Sequence, residues 1–345
     1  MNVAFVPKAW SLPRFVWLRR VGIGLLIFVA AELLARLVVA PLDLRIFIAD
    51  TQGRNLRLIP GAHERAHMYG RTVEVSIDAK GHRATVGGGG GTCTRHRLDL
   101  IGDSQVFGWG LSDSETIASR LQARLGPDWR VVNHGIPGIG PLQYAQVLRS
   151  VPKDAEVLMV FTEVNDLWDT YDMSRNTTRC GFLTEPWWPS SGLVCPILNL
   201  RTLQIGFAAY DKLTQQRALA PIGFDPTSGI ASRILALHVR SLFVKADARV
   251  HPHLHFAVLP FDGRFNLRAR LDYFPPPNPD TPRYFDDDYD MIAAFAHDPD
   301  PTALYLSGDP HLSPRGAALF AARVAPTFAA AGGAVSAAGK VECGQ

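Results

Sequence analysis

The sequence predicts an α/β protein with a parallel sheet, carried behind an N-terminal membrane helix. Three observations lead there. Short apolar runs of strand type alternate with amphipathic helical stretches between Leu98 and Phe161, the alternation of a parallel sheet covered on both faces. Basic residues followed by an apolar run open the chain, as in segments that target a membrane. Hydrophobic residues make up 47% of the 345 and charged residues 19%, ample apolar surface for a core and too much for a disordered chain.

The N-terminal element comes first. Lys8, Arg14, Arg19 and Arg20 precede the apolar stretch Val21 to Ala40, and the first acid is Glu32. The uncharged part, Val21 to Ala31, is short of the roughly 20 residues a span needs. Reaching that length takes in Glu32 and Arg36, which lie at i,i+4 and can pair, with Arg36 snorkelling toward the far interface. A single-pass anchor is the favoured reading. A cleaved signal peptide competes with it, although Ala40 followed by Pro41 is a poor cleavage site, and a buried soluble helix is the third reading. Under the first two, the basic flank stays in the cytoplasm and the remainder is exported.

The organisation expected is residues 1–50 as anchor or signal, 51–91 as a small β-rich lead-in with a glycine linker, 92–330 as the catalytic domain and 331–345 as a mobile tail. In the lead-in, Val73, Val75 and Ile77 alternate onto one strand face, Asp78 to Gly81 turns, and Gly87 to Gly91 links. Leu98 to Ile101 reads as a buried strand. Ser112 and Glu115 form a capping box before Ile117, Leu121 and Leu125, with a stop at Gly126. Trp129 to Val132 is a strand, Leu142 to Leu148 a helix, and Val157 to Phe161 a strand. Residues 170–227 are irregular, Ile230 to Val244 has helical spacing, and Leu254 to Leu259 is a strand. Ser313-Pro314 opens a last helix.

Ligands of an open parallel sheet bind at the carboxyl ends of its strands. Those ends here carry Gly102-Asp103-Ser104, then Asn133-His134-Gly135-Ile136-Pro137-Gly138, then Glu163-Val164-Asn165-Asp166, while Asp309-Pro310-His311 precedes the last helix. In these blocks the chain resembles the SGNH hydrolases, also called the GDSL family, over roughly residues 97–330. Ile101 to Gly110 looks like the nucleophile block with its aromatic and glycine tail. Gly138, Asn165 and His311 match the other three blocks, in the family's order. The resemblance implies a three-layer, flavodoxin-like SGNH fold, Ser104 as nucleophile, His311 as base, and an oxyanion hole of the Ser104 and Gly138 N–H groups with the Asn165 amide. Many members carry the acid three residues before the histidine, where Gly308 stands; here Asp309, two before it, takes that place.

The residue types suit acyl transfer. A serine hydroxyl is a poor nucleophile until a base takes its proton. The acid holds the imidazole tautomer and stabilises the imidazolium, and the donors meet the charge of the tetrahedral intermediate. Asp103 reads as a loop-bracing acceptor. The expected function is an exported serine esterase acting on an acyl ester, acetyl in the simplest case, on an envelope carbohydrate. An O-acyltransferase using the same residues and a non-catalytic carbohydrate-binding relative are the alternatives. The location implied is the inner membrane, single-pass, with the catalytic domain on the exported side.

Other features carry less. The net charge of +3 gives no field for nucleic acid. No cofactor or metal is expected: His63-Glu64-Arg65-Ala66-His67 fits H-E-x-x-H, but that pattern needs a helix, and Pro60-Gly61 and Tyr69-Gly70 flank it. His251, His253 and His255 read as surface histidines on a strand, and Asp286 to Asp290 as a helix cap. Trp187-Trp188 reads as a loop plug, with sugar stacking as the other use. Cys180 and Cys195 are expected to form a disulfide in the irregular segment, permissible after export; two unpaired thiols are the alternative.

Overall fold

A computed structural model of the chain describes residues 12–39, 41–48, 56–87, 94–162, 166, 177–179, 182–184, 194–206, 209, 253–260, 291 and 294–335. The elements in order are α1 (Leu12–Val38), β1 (Phe47–Ile48), β2 (Arg57–Leu58), β3 (His63–Met68), β4 (Arg71–Ser76), β5 (His96–Ile101), α2 (Ser104–Phe107), α3 (Ile117–Leu125), β6 (Trp129–Asn133), α4 (Pro141–Leu148), β7 (Glu156–Thr162), β8 (Thr177–Arg179), β9 (Phe182–Thr184), α5 (Val194–Leu198), β10 (Leu254–Leu259) and α6 (Pro314–Val335).

Four strands form one parallel sheet in the order β6-β5-β7-β10. Numbered along the chain that order is 2-1-3-4, as in flavodoxin-type sheets, where the crevice lies between the first and third strands. Successive side chains on a strand face opposite ways. Leu98, Leu100, Leu158 and Val160 therefore meet Ile117 and Leu121 of α3 and Phe320, Val324 and Phe328 of α6. Ile101, Val157, Met159 and Phe161 meet Tyr144 and Leu148 of α4 on the other face. Full burial of each such side chain contributes roughly 1.5–3 kcal/mol. The sheet is thus layered on both sides, as the alternation predicted.

The lead-in is not a separate unit. Val73, Val75 and Ile77 lie in the same core as Ile101, Phe107 and Val157, so no seam divides 51–91 from the domain that follows. Arg83 locks the join. Its guanidinium is fully buried, donates from Nη2 to the Leu111 carbonyl at 2.8 Å, lies 3.0 Å from Asp113 and sits over the Phe107 ring. Burial pulls its pKa down to about 10 against the opposing pull of Asp113.

Local expectations are adjusted in four places. The Ser112/Glu115 box closes a 3₁₀ turn, and Thr116 caps α3 itself, accepting from the Ser119 N–H. His63 to His67 is neither a helix nor a loop but strand β3, paired antiparallel with β4. A strand carries its two histidines too far apart for the i,i+4 zinc geometry. His253 and His255 both face Glu156, at 3.6 and 2.8 Å, rather than standing free at the surface. The last helix runs to Val335, past the expected tail boundary at 331. The residues expected to form the linker at 88–91, the helix at 230–244, the acidic cluster and Trp187-Trp188 lie outside the described residues, as does His251.

One helix is long and apolar enough to cross a membrane, Val16–Val38, with a mean hydropathy of 2.2. Its apolar side chains are mostly exposed; Leu26, Leu34 and Leu37 are examples.

Candidate active site

The nucleophile block is a strand end folded into a very short helix. β5 ends at Ile101, and Gly102 follows because a Cβ there would stand 2.4 Å from Val106 Cγ2. Asp103 is fully buried and caps α2, its carboxylate accepting the Gln105 N–H at 2.8 Å. Ser104 is the first residue of α2, where the helix leaves a backbone N–H without an intrahelical acceptor. Gly108 then ends α2 at φ 84°, its N–H returning to the Ser104 carbonyl at 3.0 Å. The site therefore stands at the carboxyl end of β5, beside the crevice between β5 and β7.

Asn133 and Gly135 fix the second block against the first. Asn133 donates to the Val106 carbonyl at 2.8 Å and accepts the Gly135 N–H at 2.8 Å. A Cβ on Gly135 would lie 2.1 Å from the Phe107 nitrogen, so only glycine permits this approach. The Ile136 N–H reaches the Gly102 carbonyl at 3.2 Å. Gly138 follows in this loop at φ 76°, a left-handed conformation suited to glycine. His134 turns away from the site. Its Nε2 is 2.6 Å from Asp99, which Arg97 also holds, and burial pushes the imidazole pKa down despite that carboxylate.

The third predicted donor, Asn165, lies outside the described residues. Its neighbour Asp166 is buried, accepting the Tyr144 hydroxyl at 2.6 Å and the Thr162 N–H at 2.8 Å.

The C-terminal block closes the constellation. His311 Nε2 is 2.7 Å from Ser104 Oγ, and His311 Nδ1 is 2.5 Å from Asp309 Oδ1. The same carboxylate oxygen accepts the His311 backbone N–H at 2.9 Å. Burial opposes ionisation of Asp309, but the donors from His311 and from Tyr69 outweigh it, so its pKa lies below the ordinary carboxylate value. An ionised Asp309 takes the proton on Nδ1 and leaves Nε2 to accept from the serine. Gly308, where many relatives carry the acid, is at φ 74° in the turn that brings the Asp309 N–H to the Leu306 carbonyl. The acid moves one residue along because this turn needs glycine. A cavity of about 380 Å³ lined by residues 300 and 302–309 reaches Asp309 but neither Ser104 nor His311.

Two residues that sequence reasoning passed over complete the geometry. Gln105 is buried, and its amide clasps the histidine loop on both sides. Nε2 donates to the Pro310 carbonyl at 3.0 Å, and Oε1 accepts the Leu312 N–H at 3.0 Å. Tyr69 comes from the lead-in. Tyr69-Gly70 is the two-residue turn between β3 and β4, with φ of 52° and 77°, the signature of a type I′ turn. Its hydroxyl donates to Asp309 and accepts Trp109 Nε1–H at 3.0 Å. Gly110 leaves the space, since a Cβ there would sit 2.9 Å from the Tyr69 ring. Trp109 in turn stands with its ring centroid 6.4 Å from that of His311. The aromatic and glycine tail of the nucleophile block thus makes the wall on which Tyr69 rests. The dipeptide Tyr-Gly between two strand-like runs was the available signal for the turn; nothing local pointed it at residue 309.

Cys195 is disulfide-bonded; Cys180 and the remaining cysteines lie outside the described residues. No group of three or more residues able to hold a metal occurs among the described residues. Comparison with family models, curated proteins and solved structures finds no match for this chain.

Proposed function

We propose that this chain is a membrane-anchored serine ester hydrolase of the SGNH type. The observation that carries the reading is the unbroken line from Ser104 Oγ through His311 to Asp309, with contacts of 2.7 and 2.5 Å. His311 Nε2 takes the hydroxyl proton as Ser104 attacks the ester carbonyl, and Asp309 stabilises the imidazolium. The oxyanion is met by the N–H groups of Ser104 and Gly138 and by the Asn165 amide. The leaving alcohol departs with the proton from His311. Water then repeats the sequence and releases the acid. The substrate suited to an exported enzyme is an acyl, in the simplest form acetyl, ester on an envelope carbohydrate. The basic flank before α1 sets the orientation, with the N-terminus in the cytoplasm and the site on the exported side of the inner membrane.

A fluorophosphonate should add to Ser104, detected by mass spectrometry of the peptide, and the full chain should hydrolyse p-nitrophenyl acetate. Ser104→Ala should lose both with its Tm retained. Activity surviving in Ser104→Ala overturns the mechanism. Product analysis with an added oligosaccharide separates hydrolysis from acyl transfer, because the same residues serve both.

A further inference from the structure

We infer that residues 194–206 form a second membrane-seated element, gripped by α1 through Glu32 and Arg36; this rests on the reading of α1 as a span. From Leu193 to Ala209 the sequence has a single charged residue, Arg201. The segment is helical at 194–198 and again at 201–206, with a break between. Such a length of apolar chain is too short to span and fits an interfacial or re-entrant segment.

The break is built for surroundings without water. Non-helical backbone at membrane depth survives only where protein groups satisfy it. Here Glu32 accepts the Arg201 N–H at 2.8 Å, the Thr202 N–H at 3.0 Å and the Thr202 hydroxyl at 2.9 Å. Arg36 pairs with Glu32 at 2.7 Å and donates to the Asn199 carbonyl at 2.8 Å. Gln204 donates to the Leu198 carbonyl at 3.1 Å, and the Asn199 side chain donates to the Cys195 carbonyl at 2.8 Å. Each of these backbone groups has a side-chain partner that needs no solvent.

Position and exposure point to lipid. Glu32 lies six residues before the end of α1 at Val38, about 9 Å along the axis at 1.5 Å per residue. When Val16–Val38 crosses a core of about 30 Å, the Arg201 and Thr202 N–H groups that meet Glu32 lie within its outer part. Around that grip Ile197 and Ile205 are 45% and 38% exposed, continuous with the exposed apolar surface of α1. The domain is held close as well. The Pro41 carbonyl already accepts the His67 N–H, and Leu44 is fully buried, so only a few residues separate the span from the core.

The test uses the full chain in phosphatidylethanolamine/phosphatidylglycerol proteoliposomes containing a phospholipid with a diazirine on its acyl chain. After illumination, adducts are mapped by peptide mass spectrometry. Adducts are expected in α1 and in residues 194–206, well above the background at Val86, an exposed apolar residue of the lead-in. Adducts in α1 with only background at 194–206 overturn the inference and leave the anchor intact; background levels in both overturn the anchor reading too. Glu32→Ala should cut adducts at 194–206 severalfold while those in α1 and fluorophosphonate labelling persist. Unchanged adducts in that variant refute the grip at Glu32.

Discussion

Tyr69→Phe removes one oxygen from the candidate site while keeping the ring, the turn and the wall formed with Trp109. That hydroxyl donates to Asp309 and accepts from Trp109. A hydrogen bond to a charged group contributes about 1.5–3 kcal/mol, and 1.36 kcal/mol corresponds to one pKa unit. Loss of the bond therefore raises the Asp309 pKa by at most about 1–2 units. It also concentrates the carboxylate's charge on His311, which raises the imidazole pKa. Both effects act in one direction: the acid limb of kcat/KM moves to higher pH. Asp309 keeps its ring and backbone donors from His311, so the rate at neutral pH should fall by roughly 10-fold, an effect of about 1.4 kcal/mol on the barrier. The assay is p-nitrophenyl acetate hydrolysis from pH 5 to 9 for the wild type, Tyr69→Phe, Asp309→Asn and the double variant. If Tyr69 acts through Asp309, the hydroxyl should matter little once the carboxylate is gone. An unmoved acid limb, with the same fold-loss in the Asp309→Asn background, would refute the reasoning and reduce Tyr69 to a packing residue.

Gln105→Leu should unclasp the histidine loop, lowering kcat by up to about 10²-fold with little change in KM, since small misplacements of a catalytic group cost that much; wild-type kcat would exclude the role. Asn165→Ala should lose about 10²–10³ in rate through the oxyanion contribution, measured on the same ester, and a loss below 3-fold would remove it from the hole. Asp43, pushed by burial up to about 7 against a hydrogen bond from the Leu44 N–H, binds a proton in the fold that the unfolded chain gives up near pH 4. Wild-type stability should therefore fall between about pH 4 and 7 by a margin that Asp43→Asn lacks, so the variant's Tm advantage should grow across that window and level off above it; a constant difference would contradict the assignment. A non-reducing digest should contain the Cys180–Cys195 peptide pair, and its closed loop of about 15 residues contributes roughly 3 kcal/mol; Cys195 joined to Cys93 or Cys343 instead would refute the pairing.

The sequence by itself determined the sheet and most of its cover. Strands such as β7 and β10 are continuous apolar runs because both faces are buried, and helices such as α3 carry caps and periodic spacing. Both signals are local, so they survive without knowledge of any neighbour. The same holds for Ser104, Gly138 and His311, each beside a glycine or turn whose backbone shape the sequence announces. What only the tertiary structure decided is which distant groups meet. Gln105 reaches Pro310 and Leu312 across more than 200 residues, Tyr69 reaches Asp309 from the lead-in, and Glu32 finds Arg201 and Thr202 rather than Arg36 alone. A tyrosine in a turn, a glutamine after a nucleophile and an acid in an apolar helix have no periodicity to betray a partner. Their roles come from desolvation, because a buried donor or acceptor must be satisfied by whatever the fold brings within 3 Å, and that is settled only when the layers close.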